Sequence, residues 1–205
     1  MKTASQTVSI ILHPLVMPTL GLLCYYSLFP VIAQFNELEL FRQIFLRVFL
    51  FTLIMPLISV AIMMRLGKVS TMFIEDQRER SWPLLMAAVI YLFTYYFMLP
   101  VPPVPAFVSI FILGAAASMI LAMLITLKWK ISLHMIGIGG LCGALCGIYY
   151  FTQDGNPLWL ALFFALAGVL GTARLLLRAH TPLQLLAGFV LGFAAEIGLA
   201  LMVVL

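Results

Sequence analysis

Two histidines stand where a chain of this kind could handle a phosphoryl group. His180 lies in Arg174-Leu-Leu-Leu-Arg178-Ala-His180-Thr-Pro-Leu-Gln184, and His134 lies in Lys130-Ile131-Ser132-Leu133-His134. Thr181 followed by Pro182 is a helix start, with Thr as N-cap and Pro at the first helical position. Ser132 is a similar cap, placing His134 in a first helical turn. Helix N-termini present free N–H groups and a positive dipole end, which suit a phosphate. Imidazoles titrate near neutrality, so one can attack phosphorus while another carries a proton. Cations beside them spread the charge of a transferring phosphoryl group. Taken singly, each of these residues also reads as an interface anchor that snorkels into lipid headgroups. Their combined spacing points to phosphate handling.

The elements that position them are set by composition. Apolar residues make up 64% of the 205 positions and charged residues only 9%, where a soluble domain carries about a quarter charged residues. Mean hydropathy is +1.17. The charges fall in short clusters, separated by stretches long enough to cross a hydrocarbon core, which takes about 20 residues. Seven such spans are expected: Val8–Phe29, Val48–Met64, Pro83–Leu99, Pro105–Leu127, Ile131–Phe151, Pro157–Ala173 and Thr181–Leu205. The count falls to six if the first, interrupted by His13, Pro14 and Pro18, is partly re-entrant. The segments lack barrel alternation, so the backbone must satisfy itself as helix. The expected fold class is all-α, a polytopic transmembrane helical bundle forming one domain over residues 1–205. Lys2 before an apolar run raises the question of a signal peptide; the run is long, contains prolines and lacks a small-residue cleavage site, so it reads as a retained span.

The loops at 65–82, 128–130 and 174–180 hold Arg65, Lys68, Arg78, Arg80, Lys128, Lys130, Arg174 and Arg178, and seven spans put all three on one face. The opposite loops hold Glu37, Glu39, Arg42, Arg47 and Asp154. Read literally, the basic face is cytoplasmic; if its cations bind phosphate, they carry no topological information, and orientation stays open.

Ala173-Arg174-x5-His180-x3-Gln184, followed by Leu-Leu-Ala-Gly-Phe-Val-Leu-Gly, resembles the third signature of the type 2 phosphatidic acid phosphatase superfamily, the lipid phosphate phosphatases related to vanadium haloperoxidases. That signature reads S-R-x5-H-x3-D. The second, P-S-G-H, falls on Ile131-Ser132-Leu133-His134 and matches at Ser132 and His134. The first, K-x6-R-P, is met by Arg80 alone, with Phe73 in the lysine's place and Pro83 three positions on. The resemblance spans Arg80 to Gly192, and implies a phosphatase-like core at about 66–205. It implies His180 as the nucleophile forming a phosphohistidine and His134 as the general acid. It also implies Arg174 and Arg80 as phosphate clamps and Ser132 as a hydrogen-bond donor, with Lys130, Lys68 or Arg78 in the missing lysine's role. Gln184 replaces the aspartate that orients the nucleophile: it can accept the imidazole N–H but brings no charge. The implied substrate is a phosphorylated membrane lipid, a phosphomonoester or a prenyl diphosphate. The site would lie in a bacterial cytoplasmic (inner) membrane, with no metal or other cofactor and no nucleic-acid partner; oligomeric state is left open. The alternative is a non-catalytic relative that binds phosphorylated lipid or acts as a structural membrane partner.

Other residues have blander readings. Glu75-Asp76-Gln77-Arg78-Glu79-Arg80 is either a solvated loop or the lip of the pocket with Arg80 turned inward. Asp76 and Asp154 fall on opposite faces, which excludes the paired aspartate motifs of intramembrane prenyltransferases. Glu196 inside an apolar span is a functional candidate by default, although nearness to the C-terminus favours the far interface. His13 reads as a helix–helix hydrogen-bond donor, and glycines 137, 139, 140, 143 and 147 as close-packing positions. Cys24, Cys142 and Cys146 read as small packing residues. No pair of similarly broken spans suggests the inverted repeats of a transporter.

Overall fold

The computed structural model describes residues 2–29, 38–72, 74, 76–98 and 105–204. Glu37, Phe73, Glu75, Leu99 and Leu205, all named above, lie outside the described residues, as does the Pro-rich turn at 100–104 expected between the third and fourth spans. The described residues are 84% helical and include no strands. The helices are α1 (Lys2–Ile11), α2 (Met17–Leu28), α3 (Leu38–Arg65), α4 (Ser81–Met98), α5 (Ala106–Thr126), α6 (Leu133–Thr152), α7 (Pro157–Leu176) and α8 (Pro182–Val204). Among the described residues six helical runs are long and apolar enough to cross a membrane, α1 and α2 together forming one of them; α4, of 18 residues, occupies the remaining expected span. The chain is an integral, polytopic helical membrane protein. Outward-facing Val89, Phe97, Leu186 and Val190 belong to the surface that lipid would cover.

Prolines shape the two irregular helices. Pro14 has no N–H, so the first run breaks after Ile11 and resumes through a 3-10 turn at Pro14–Val16. In α3, Pro56 cannot donate to the Thr52 carbonyl four residues back; a π-turn at Leu50–Ile54 accommodates the defect, and the Tyr91 hydroxyl of α4 donates to that carbonyl at 2.9 Å. α3 begins at Leu38, ten residues before the expected Val48. Leu40, Phe41, Ile44, Phe45 and Val48 form an apolar stripe at helical spacing that packs with Leu22, Tyr26 and Tyr91. Its charges stay outside, with Arg42 donating to Glu39 at 3.3 Å.

The centre of the bundle is the crossing of α6 and α8. A Cβ on Gly139 or Gly192 would collide with the backbone carbonyl of Phe189 or Ile136, and one on Gly143 would meet the Phe193 carbonyl at 2.5 Å. These glycines let two backbones touch, as small residues do where no hydrophobic force separates helix from lipid. The close crossing also fixes the N-terminal ends of α6 and α8 side by side: Ser132 N–H donates to the Gln184 carbonyl at 3.4 Å. Gly192→Ala is therefore expected to lose about 1–3 kcal/mol by overpacking. Gly168→Ala, whose Cβ would meet nothing within 4 Å, should match or exceed the parent. Reversible unfolding in mixed micelles measures both; equal stability of the two variants would contradict this packing.

Candidate functional site

Each of the three basic loops ends against another. The Gln77 amide donates to the Thr126 carbonyl at 2.7 Å, joining the loop before α4 to the end of α5. Arg80 is buried, and it donates from Nε to the Ile74 carbonyl at 3.1 Å and from Nη1 to the Ile131 carbonyl at 3.3 Å. Arg80 is thus turned inward, and all three loops share one face of the bundle. Burial, and then Arg174, lower the Arg80 titration from its ordinary value, while Asp76 opposes them.

His180 is buried immediately before α8. Its Nδ1 lies 3.3 Å from Oε1 of Gln184, an oxygen that can only accept, so Nδ1 carries the proton and Nε2 a lone pair. The same oxygen accepts from the Thr181 N–H at 3.0 Å, and Thr181 Oγ1 accepts from the Gln184 N–H at 3.4 Å. This is a capping box of the Thr-x-x-Gln form. Gln184 is thereby held with its amide oxygen facing the imidazole.

His134 sits in the first turn of α6, whose N-cap Ser132 accepts from the Met135 N–H at 3.4 Å. Its Nε2 lies 3.0 Å from the Ser9 carbonyl and donates to it. The Ser9 oxygen is available because α1 ends there: the His13 N–H that would have bonded it turns to Ile10 at 3.3 Å. Arg174, in the last turn of α7, donates from Nη1 to the Ser9 hydroxyl at 3.3 Å. His13 packs edge-on against His134, with ring centroids 5.4 Å apart, and its Nδ1 accepts from the Leu15 N–H at 3.3 Å. His13 is therefore an N-cap acceptor within its own segment, not the interhelical donor expected from the sequence. Its Nε2 bears the proton.

These side chains close one end of a cavity of about 390 Å³. His13, Arg80, His134, Arg174 and His180 line that end, and Leu53, Leu57, Val60, Leu84, Ala87 and Met119 are among the residues lining the body. Among the described residues Glu196 is the one carboxylate lining it. The structure thus brings together four of the expected residues (Arg80, His134, Arg174 and His180) and adds His13. Ser132 is fully buried, and neither it nor Gln184 or Lys130 is among the residues lining the cavity. Of the cations considered for the missing lysine, Lys130 is close enough to His180 to influence it. Lys68 instead lies over the Trp82 ring at 5.5 Å, and Arg78 is exposed at the rim. Among the described residues no group of three or more His, Cys, Asp or Glu side chains is placed to hold a metal. The contribution of α1 was missed because Ser9 acts through a carbonyl, which no residue type announces; the Pro14 break was its only trace in the sequence.

The class that fold and site define is a helical membrane protein with a cationic, histidine-lined end to an apolar internal cavity. Comparison with protein-family models, with curated proteins and with solved structures gives no match to this chain.

Burial first, then Arg174 and Arg80, pull the His180 titration from 6.5 down to about 4, against the Gln184 hydrogen bond, which raises it. The ligand-free side chain is thus neutral at pH 7, with its Nε2 lone pair available. Because the folded value lies below the unfolded one, His180 favours folding at neutral pH, and that contribution is lost as pH falls from about 6.5 towards 4. In ligand-free protein with ¹⁵N-labelled histidine, the His180 resonances should keep their neutral pattern at pH 5.5. An imidazolium pattern at that pH would contradict the described environment.

Proposed function

We propose that this protein is a membrane lipid phosphate phosphatase-like enzyme, hydrolysing a lipid phosphomonoester or a prenyl diphosphate through a phosphohistidine on His180. The observation that carries the reading is the cavity itself, with two guanidinium groups and three imidazoles at one end and an apolar body behind them. Two like charges held together in a low-dielectric site repel unless an anion sits between them. The apolar body accepts a hydrocarbon chain. The resemblance of the Arg174–Gln184 and Ser132–His134 segments to the phosphatidic acid phosphatase signatures supports the same assignment. With it comes a location in a bacterial cytoplasmic membrane.

The chemistry follows from the tautomers. Nε2 of His180 attacks phosphorus, and the bond from phosphorus to the ester oxygen, or to the bridging oxygen of a diphosphate, breaks. The departing oxygen takes a proton from a histidine that has taken up a proton as the anionic substrate binds, His134 by the resemblance, which becomes a neutral imidazole. Water then attacks the phosphohistidine and gives a proton back to that imidazole, releasing inorganic phosphate and restoring the Nε2 lone pair. Arg174 and Arg80 balance the charge of the phosphoryl oxygens, a role that dominates phosphoryl transfer. Gln184 holds Nδ1–H in place without adding a negative charge.

A second reading, a relative that binds phosphorylated lipid without turning it over, is favoured by one observation: the His134 Nε2 proton is already given to the Ser9 carbonyl. The test is phosphate release by the purified protein in detergent, with phosphatidic acid, phosphatidylglycerol phosphate and a prenyl diphosphate as substrates. His180→Ala should abolish release, and His134→Ala should lower it about 10²–10⁴-fold, the usual contribution of a general acid. Gln184→Asp should raise it by supplying the missing charge. Retention of labelled lipid with no release by folded protein would establish the binding-only reading.

A further inference from the structure

The end of the cavity remote from the histidines holds polar groups that the phosphate chemistry does not use. Glu196 is 2% exposed, lines the cavity, and has no hydrogen-bond or ion-pair partner among the described residues. The expected reach to the far membrane interface is not made. Its carboxyl instead lies against α5 and α6, where a Cβ on Gly114 would meet it at 2.5 Å and one on Gly140 would meet its Cγ at 3.5 Å. The glycines therefore leave space that the carboxyl fills. Ser118, one turn along α5 from Gly114, is 4% exposed and lines the same cavity, and its hydroxyl likewise has no partner. Tyr91, the other polar residue nearby, spends its hydroxyl on the Thr52 carbonyl.

Two buried polar groups without partners are costly in an apolar surround, and the cost is removed when something polar occupies the space between them. Ser118 lies eight residues from Thr126, the residue tied to the basic loop, which is about 12 Å of helix. Glu196 lies twelve residues from Gln184, about 18 Å. A ligand with its phosphate among the arginines would reach this depth with its chain, not with its headgroup.

Resting on the phosphate reading above, we propose that Glu196 and Ser118 form a second recognition point for a hydroxyl or amide carried on the lipid's chain. The substrate class is then a phosphorylated lipid with hydrogen-bonding groups in its hydrophobic body, in preference to a prenyl diphosphate, whose body is hydrocarbon alone. A hydroxyl or amide suits the pair because each both donates and accepts, and so serves a carboxyl and a serine hydroxyl together.

The experiment compares dissociation constants of the detergent-solubilised protein for a saturated alkyl monophosphate and for the same molecule bearing a hydroxyl or amide about 12–18 Å along its chain. The polar-chain probe should bind about tenfold more tightly, the worth of one to two buried hydrogen bonds. Glu196→Leu, close in volume, should remove that preference while leaving the plain alkyl phosphate bound, and Glu196→Gln should keep most of it. Ser118→Ala should reduce it by several-fold, and it decides the matter if Glu196→Leu does not fold. Equal binding of the two probes by the parent protein would overturn the proposal, as would a preference that survives Glu196→Leu or, should that variant not fold, Ser118→Ala. Failure of the plain alkyl phosphate to bind at all would instead remove the phosphate reading on which the proposal rests.

Discussion

The structure is organised around a repulsion. Arg80 and Arg174 come from different loops, yet each lies close enough to disturb the same buried histidine, and Arg174 disturbs Arg80 as well. Like charges do not gather at the end of an apolar cavity of their own accord; hydrogen bonds to backbone and side-chain oxygens hold them there. Arg80 is fastened to the Ile74 and Ile131 carbonyls, and Arg174 to the Ser9 hydroxyl. Both guanidinium groups line the same end of the cavity, where an anion would relieve the repulsion.

The fold supplies the rigidity that such an arrangement needs. Close contact of α6 with α8 through Gly139, Gly143 and Gly192 places two helix starts together, each capped by its own hydroxyl residue. The proline break between α1 and α2 frees a carbonyl that fixes His134, and the proline defect in α3 is mended by Tyr91 beside the cavity. Backbone irregularity in a membrane protein persists where protein groups re-satisfy the freed hydrogen bonds. Here both irregularities border the same cavity. This places the departures from regular helix where shape and polarity are needed.

Much of this was legible in the sequence. The span pattern, the Ser132 and Thr181-Pro182 helix starts, and the gathering of His134, His180, Arg174 and Arg80 on one face follow from hydropathy, capping chemistry and charge distribution. The early start of α3 was not, because Glu39, Arg42 and Arg47 mask an apolar stripe that only helical spacing exposes. Gln184 was read as able to accept the imidazole N–H, the contact its oxygen makes; that the same oxygen also closes a capping box with Thr181 was not read. Ser9 escaped, and His13 and Glu196 were given other roles, because their significance lies in tertiary placement: a freed carbonyl, an edge-on ring contact, and a carboxyl seated between glycines.

The central claim is that the convergent arginines and histidines form an anion site, and direct binding of inorganic vanadate or phosphate by the ligand-free protein tests it. The account predicts one anion per chain, with binding lost in Arg174→Gln and weakened in Arg80→Gln, while both variants keep the parent's thermal stability to within a few degrees. Absence of saturable anion binding in folded parent protein, or binding indifferent to Arg174, would contradict it.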